Sequence, residues 1–314
     1  MIGRTLTDAL ARKLDENPPS SACLDTKTSY DFIYEAACEW VRRTCLMKGS
    51  QTITTITNKK TYNLSPDYFF LYWKDDQNRF VATYNNGNNF LITFRDYDAI
   101  LRATTYSTTS STPYNFTLSD GQSGASVITG TVTSNSVMSA GECNLIDTEN
   151  ANFTTATVAV GDEVQNTTDG SSGVVLEITS TTTLAVALFG GRLNYWTDGD
   201  TYIIIPQPRK QLLLNSAPLN AGETITLYYI QKPTPPVYAE HRSYRIDNIY
   251  TSALVSYAAW LYRYRDMQPN YGDGWYKHFE LQARSAAKDA GMAMGRNSFR
   301  VNFMKRSNRD HSYR

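Results

Sequence analysis

The residues with the greatest chemical reach in this 314-residue sequence are few and scattered. Its three histidines, His241, His278 and His311, have no H-E-x-x-H pairing and no nearby cysteine with which to build a zinc site. Four cysteines, Cys23, Cys38, Cys45 and Cys143, show no C-x-x-C spacing. Cys38 and Cys45 fall on one predicted helix, about 10 Å apart along its axis, too far to bridge within it. That usage points to a reducing cytoplasm rather than a disulfide scaffold. Carboxylates pair at Asp75-Asp76, Asp96 with Asp98, and Asp198 with Asp200. Asp198-Gly-Asp200 would serve a calcium loop if more oxygens converged, and otherwise reads as a β-turn. There is no G-x-x-x-x-G-K-[ST] phosphate loop and no G-x-S-x-G nucleophile elbow. The expectation is a chain without catalytic residues, cofactor or metal. Its start lacks an apolar signal segment and it has no 18-residue apolar run, so neither export nor a membrane span is expected.

Charge is the next source of function. Thirty Lys and Arg balance thirty Asp and Glu, which removes the global basic excess of a dedicated nucleic-acid binder. The balance hides a regional split. Residues 104–205 hold one basic residue, Arg192, against ten acids, a net of minus 9, and the remainder carries plus 9. From 291 to 314 there are six basic residues and one acid, a net of plus 5. Within that tail Phe299-Arg-Val-Asn-Phe303 alternates apolar and polar positions, as an arm that docks by strand addition or in grooves would. Arg296, Phe299, Arg300, Phe303, Lys305, Arg306 and Arg309 are its candidate docking residues.

The elements that must carry these features follow from periodicity. Thr28-Ser-Tyr-Asp31 marks a helix start, after which Phe32, Ile33, Ala36, Ala37, Trp40 and Val41 recur at helical spacing until Gly49. A shorter helix is predicted over 6–14. Strands are predicted at 52–57, 62–64, 68–73, 80–84 and 90–94, with Asn86-Gly87 as a type I′ hairpin turn. Residues 212–214 and 224–230 read as an antiparallel pair around Pro218-Leu-Asn-Ala-Gly222. Two long helices follow, one with the stripe Ile246, Ile249, Tyr250, Ala253, Leu254, Tyr257, Ala258 and Leu261, the other marked by Trp275, Phe279, Ala283, Ala286 and Ala290, with a chain break at 269–274. Between the flanks, runs such as Val127-Ile-Thr-Gly-Thr-Val-Thr133 read as short strands, and Asp120-Gly-Gln-Ser-Gly124 recurs as Asp169-Gly-Ser-Ser-Gly173, a turn chemistry used twice. The fold class expected is α+β, a helical-bundle core with a small antiparallel sheet, interrupted by an inserted all-β domain. The parse is a first core part at 1–103, an acidic Thr-rich insert at 104–205, a second core part at 206–290 and a basic docking arm at 291–314.

Three blocks then stand out. They are Ala36-Ala-Cys-Glu-Trp-Val-Arg-Arg-Thr-Cys45 with Gln51-Thr-Ile-Thr-Thr55 and Thr61-Tyr-Asn-Leu-Ser-Pro-Asp-Tyr-Phe69; Leu212-Leu-Leu214 with Thr224-Ile-Thr-Leu-Tyr-Tyr-Ile-Gln-Lys-Pro233; and Ala253-Leu-Val-Ser-Tyr-Ala-Ala-Trp-Leu-Tyr262 with Trp275-Tyr-Lys-His-Phe-Glu280. In that order the flanks resemble the head-to-tail connector adaptor family of tailed bacteriophages, the ring proteins fitted beneath the portal. The resemblance implies a non-enzymatic virion protein of the neck, made in the host cytoplasm and closing into a dodecameric ring. Its implied partners are its own copies, the portal protein, tail or nozzle proteins, and tail fibres through the insert, with genomic DNA passing through the channel unread and no membrane involved. A ring needs head-to-tail contacts that close by rotation, and Trp40, Trp260 and Trp275 offer aromatic anchors of the interfacial kind, with core packing as the competing explanation for each. Net minus 9 on each insert favours the outer rim, where screening is strongest. The alternative is a carbohydrate- or receptor-binding tail component, with Tyr106, Tyr114, Tyr195 and Trp196 on the insert stacking against sugars.

Overall fold

In a computed structural model, residues 3–15, 25–102, 109–110, 112–121, 126–149, 151–154, 158–233, 242–265 and 269–293 are described, and they form five α-helices and sixteen strands. Helix α1 is Gly3–Leu14 and α2 is Thr26–Thr44. Asp25 caps α2 by accepting the Thr28 N–H at 2.6 Å, and Cys45 ends it in the left-handed region at φ 53°. Then come β1 Lys48–Thr54, β2 Thr61–Asn63, β3 Tyr68–Leu71, β4 Val81–Asn85, β5 Asn89–Phe94, helix α3 Tyr97–Arg102, β6 Thr109–Ser110 and β7 Asn115–Asp120. Strands β8 Ile128–Thr131, β9 Cys143–Ile146, β10 Glu163–Asn166, β11 Ser172–Ile178, β12 Thr183–Phe189 and β13 Thr201–Ile205 follow. The chain closes with β14 Lys210–Leu214, β15 Ala217–Pro218, β16 Thr224–Gln231, α4 Thr251–Arg265 and α5 Pro269–Ala293.

Sheet dominates. Helix makes up only about 29 % of the structure and the strands gather into two large barrel-like sheets, so the expected helical-bundle core with a small sheet is corrected. The reason lies in pairing. Alternation reveals each short strand locally, but not that strands from distant parts of the chain share one ladder. The larger sheet has eight strands in the order β1-β16-β4-β5-β7-β14-β2, with β3 also on β16. Its two ends meet through Gln51, whose amide donates to the Asn63 carbonyl at 3.3 Å and accepts the Ser65 N–H at 2.8 Å. Tyr84, Ile92, Phe116, Leu212, Leu214, Ile225 and Leu227 fill the interior.

Three local expectations change as well. Strands β14 and β16 are not partners: β14 lies between β7 and β2, while the edges of β16 are taken by β1, β3 and β4. The β4–β5 hairpin forms, but across three residues from the Asn85–Asn89 pair, and Gly87 alone among them has positive φ, which excludes a type I′ turn. Residues 269–274 begin α5 rather than break the chain, because a proline in the first helical turn has no intrahelical N–H bond to lose.

The helices form one layer around Leu6, Leu10, Ile33, Ala36, Trp40, Leu254, Ala258 and Phe279, all fully buried. The smaller barrel runs β8-β13-β10-β11-β12-β9, and a 2.8 Å bond from the Thr133 N–H to the Ile146 carbonyl joins its ends. Strand β7 is sequence-adjacent to this barrel yet pairs with β5 and β14 in the larger one. In the Asp169-Gly-Ser-Ser-Gly173 turn, Asp169 accepts the N–H groups of Leu193 and Asn194 at 2.9 and 3.1 Å, and a Cβ on Gly173 would fall 1.6 Å from the Ala187 carbonyl oxygen. The first copy of that pattern continues beyond Gly121 outside the described residues.

Candidate functional site

The three blocks singled out by the sequence meet in space. The Leu64–Asp67 turn is held by main-chain bonds from Leu64 to the Lys210 carbonyl and from Lys232 to the Asp67 carbonyl. Its Asp67 carboxylate accepts the Tyr229 hydroxyl at 2.8 Å and the Gln231 amide at 2.7 Å, which fastens the turn to the end of β16. Above it, Arg43 on α2 donates to Glu39 at 2.7 Å, to the Tyr276 hydroxyl at 3.0 Å and to Glu280 at 3.3 Å, with its guanidinium over the Phe279 ring. Both α2 and α5 are thereby tied by one planar, half-buried cation whose charged form the carboxylate and phenol reinforce. Arg42 covers Phe69 of β3 at 5.4 Å and joins the helical layer to the large barrel.

The aromatic anchors divide. Trp40 is fully buried, 4.6 Å from Tyr250 and 5.9 Å from Phe279, and is core. Trp260 and Trp275 are half-buried; Trp260 stacks at 4.8 Å on Tyr276 and at 5.5 Å on the exposed Tyr264, and Lys13 sits 5.6 Å from the Trp275 ring. Tyr264 is the exposed member of this group. On the large barrel Ile56, Phe90, Leu91, Tyr114 and Leu219 are also exposed, on strands and loops cross-linked by Thr55, Asn58 and Asn86. Neither group stands out in the sequence, because each is made of residues that are individually ordinary.

Between the barrels is an open cleft of about 1100 Å³, lined by Lys27, Tyr34, Asp67, Tyr68, Phe189 and Lys210 among others. At its floor the buried Asp162 carboxylate accepts the main-chain N–H groups of Ala159 at 2.7 Å and Gln207 at 3.0 Å and faces Arg209 at 3.5 Å. Burial raises its pKa despite those donors.

The acids of the middle segment are largely structural. Asp147 and Asp200 are also buried: Asp147 accepts the Tyr202 hydroxyl at 2.9 Å, and Asp200 accepts the Asn166 amide and the Thr197 N–H, each at 2.9 Å. Glu142 and Glu177 share Arg242. Of the ten acids, Asp120, Glu142, Asp162 and Glu177 face a cation from outside the segment, Lys210, Arg242 or Arg209. Asp198-Gly-Asp200 is a turn, with Gly199 at φ 88° and the Asp198 N–H bound to Asn135. Among the described residues no three of His, Cys, Asp and Glu are grouped to hold a metal ion.

Trp196, a candidate sugar platform, is fully buried in the small barrel and faces Tyr202 at 6.4 Å, so it is closed to a ligand; Tyr195 is half-buried and Tyr114 is 67 % exposed. His278 lies 3.5 Å from the Ser252 hydroxyl. Tyr106, His241, His311, Cys23 and the arm residues Arg296, Phe299, Arg300, Phe303, Lys305, Arg306 and Arg309 lie outside the described residues. No described helix is long and apolar enough to cross a membrane. Compared with known proteins, the chain matches no protein-family model and no curated protein.

Proposed function

We propose that this chain is a structural subunit of the head-to-tail connector of a tailed bacteriophage, a non-enzymatic protein that forms a dodecameric ring between portal and tail. The observation that carries this reading is the convergence of the three resembling blocks. Asp67 reaches partners on β16 that are 162 and 164 residues away, and Arg43 reaches partners on α5 that are 233 and 237 residues away. The half-buried Trp260 and Trp275 with the exposed Tyr264 on the helices, and the exposed apolar residues of the large barrel, lie on different elements, as the two unlike faces of a head-to-tail ring contact would. In this reading the basic arm at 291–314 docks on the portal, the small barrel is available to fibres or other neck proteins, and DNA passes without sequence-specific contacts.

Electron microscopy of the purified chain tests the reading. Closed rings with a central channel support it. Elongated trimers would instead identify a receptor-binding tail component.

A further inference from the structure

The small barrel is joined to the rest of the molecule sparingly. Among the described elements, none of β8 to β13 packs extensively against a helix or against a strand of the large barrel. The chain crosses between the barrels at a narrow neck, where the Gly121 N–H donates to the Arg209 carbonyl at 3.0 Å. The Asp162 bonds to Gln207 and Arg209 hold the barrel to that neck. A second attachment stands apart from it in the chain. Arg242, just before the buried Tyr244 and Ile246 of the helical core, donates to both oxygens of Glu142 at 2.7 and 2.9 Å and to Glu177 at 3.0 Å. Glu142 belongs to the Ser139–Glu142 bridge beside β9, and Glu177 lies on β11, so one guanidinium spans two strands of the barrel.

We infer that Arg242 is a latch: it fixes the orientation of the small barrel against the helical layer, and its release lets the barrel turn about the neck at Gly121 and residues 206–209. The two-oxygen grip on Glu142 is the geometry in which arginine is most directional. A single apolar patch would tolerate sliding; a forked ion pair to two carboxylates does not. Among the described residues, a body carried on a short neck tied by Asp162 and held away from that neck by the Arg242 cluster is a hinge with a catch. The catch is also reachable by solvent. The side chains of Arg242 and Glu142 are 28 % and 25 % exposed and that of Glu177 is 58 % exposed, so salt weakens it, the Debye length falling from about 8 Å at 0.15 M to about 3 Å at 1 M. This inference is independent of the connector reading and applies to the protein in whatever assembly it purifies.

Small-angle X-ray scattering on the full chain is the test, comparing the wild type with Arg242→Met at low and high salt. The latch predicts a larger radius of gyration and a longer maximum dimension for the variant at 0.15 M salt, a shift that the wild type makes only towards 1 M. Circular dichroism should be unchanged, since both barrels keep their cores. If Arg242→Met loses its folded spectrum, the double variant Glu142→Gln with Glu177→Gln serves instead, because it keeps the arginine and the volumes. Dimensions that stay the same in the folded variant and in wild type at both salts would overturn the latch.

Discussion

The two barrels keep their carboxylates in different places. In the large barrel the interior is aromatic and aliphatic, and its carboxylates work at the rim, as Asp67 does on Tyr229 and Asp75 does on Arg79. In the small barrel Asp147, Asp162, Asn166 and Asp200 are buried and tie one loop or strand to the next. The buried Asp147, Asp162 and Asp200 lie in the loops that join the six short strands, so their hydrogen bonds add fixed ties to the register that the thirteen apolar core residues set. An acid-rich composition can thus be a device for folding rather than a surface for partners.

The sharpest way to break this contrast is to cut between the regions in two places. Deleting 104–205 removes β7 from between β5 and β14 and should abolish the folded large barrel, leaving insoluble protein. Deleting 122–206 and bridging Gly121 to Gln207 with a short Gly-Ser linker keeps β7 and spans a neck already closed by the Gly121–Arg209 bond, so soluble, cooperatively melting protein is expected. Soluble protein from the first deletion would show that β7 is dispensable.

A smaller effect compares one carboxylate from each region. Asp147→Ala leaves the buried Tyr202 hydroxyl without its acceptor and should cost the small barrel about 1–3 kcal/mol, whereas Asp67→Ala, at a half-buried turn where water can replace the carboxylate, should cost about 0.5–1.5 kcal/mol. Trp196 is the one tryptophan between 104 and 205, which makes its fluorescence a local reporter in a urea titration of a variant lacking the other four. Equal losses would remove the distinction.

The smallest effect is in pH dependence, and its sign differs between the barrels. Burial raises the Asp162 pKa in the folded state, so its protonated form is favoured by folding. The stability linked to it is present at low pH and falls as pH rises from the ordinary carboxylate value through the raised one. Asp75 is held below the usual range, chiefly by the Arg79 side chain, so its contribution is present above the ordinary value and is lost as pH falls through the lowered one. Urea midpoints followed from about pH 3 to about pH 7 should lose opposite slopes in Asp162→Asn and Asp75→Asn, with Asp75, whose partner Arg79 is exposed to solvent, giving the lesser change.

What could be read from the sequence was local. The stripe Ile33, Ala36, Ala37, Trp40 and Val41 located α2, and all five are fully buried. Pairing was not local. The Pro218–Gly222 turn suggested that β14 and β16 were neighbours, yet a turn-like loop also serves strands that go to separate places in a curled sheet, and the β content assembled through β7 outweighed the helices. Pro269 read as a break because the same residue that stops a helix also starts one. The candidate sugar platform failed at Trp196 because a Trp in a Thr-rich segment is just as readily the plug of a small barrel. Arg242 had no local signal at all: its acids lie 100 and 65 residues away.

The connector reading is tested most directly by mass. Isolated portal assemblies mixed with increasing amounts of the purified chain should gain a discrete increment in mass photometry, and the dodecamer predicts about 424 kDa from twelve copies of the 35.3 kDa chain. Portal particles whose mass does not change at saturating concentrations of a folded chain would contradict the account.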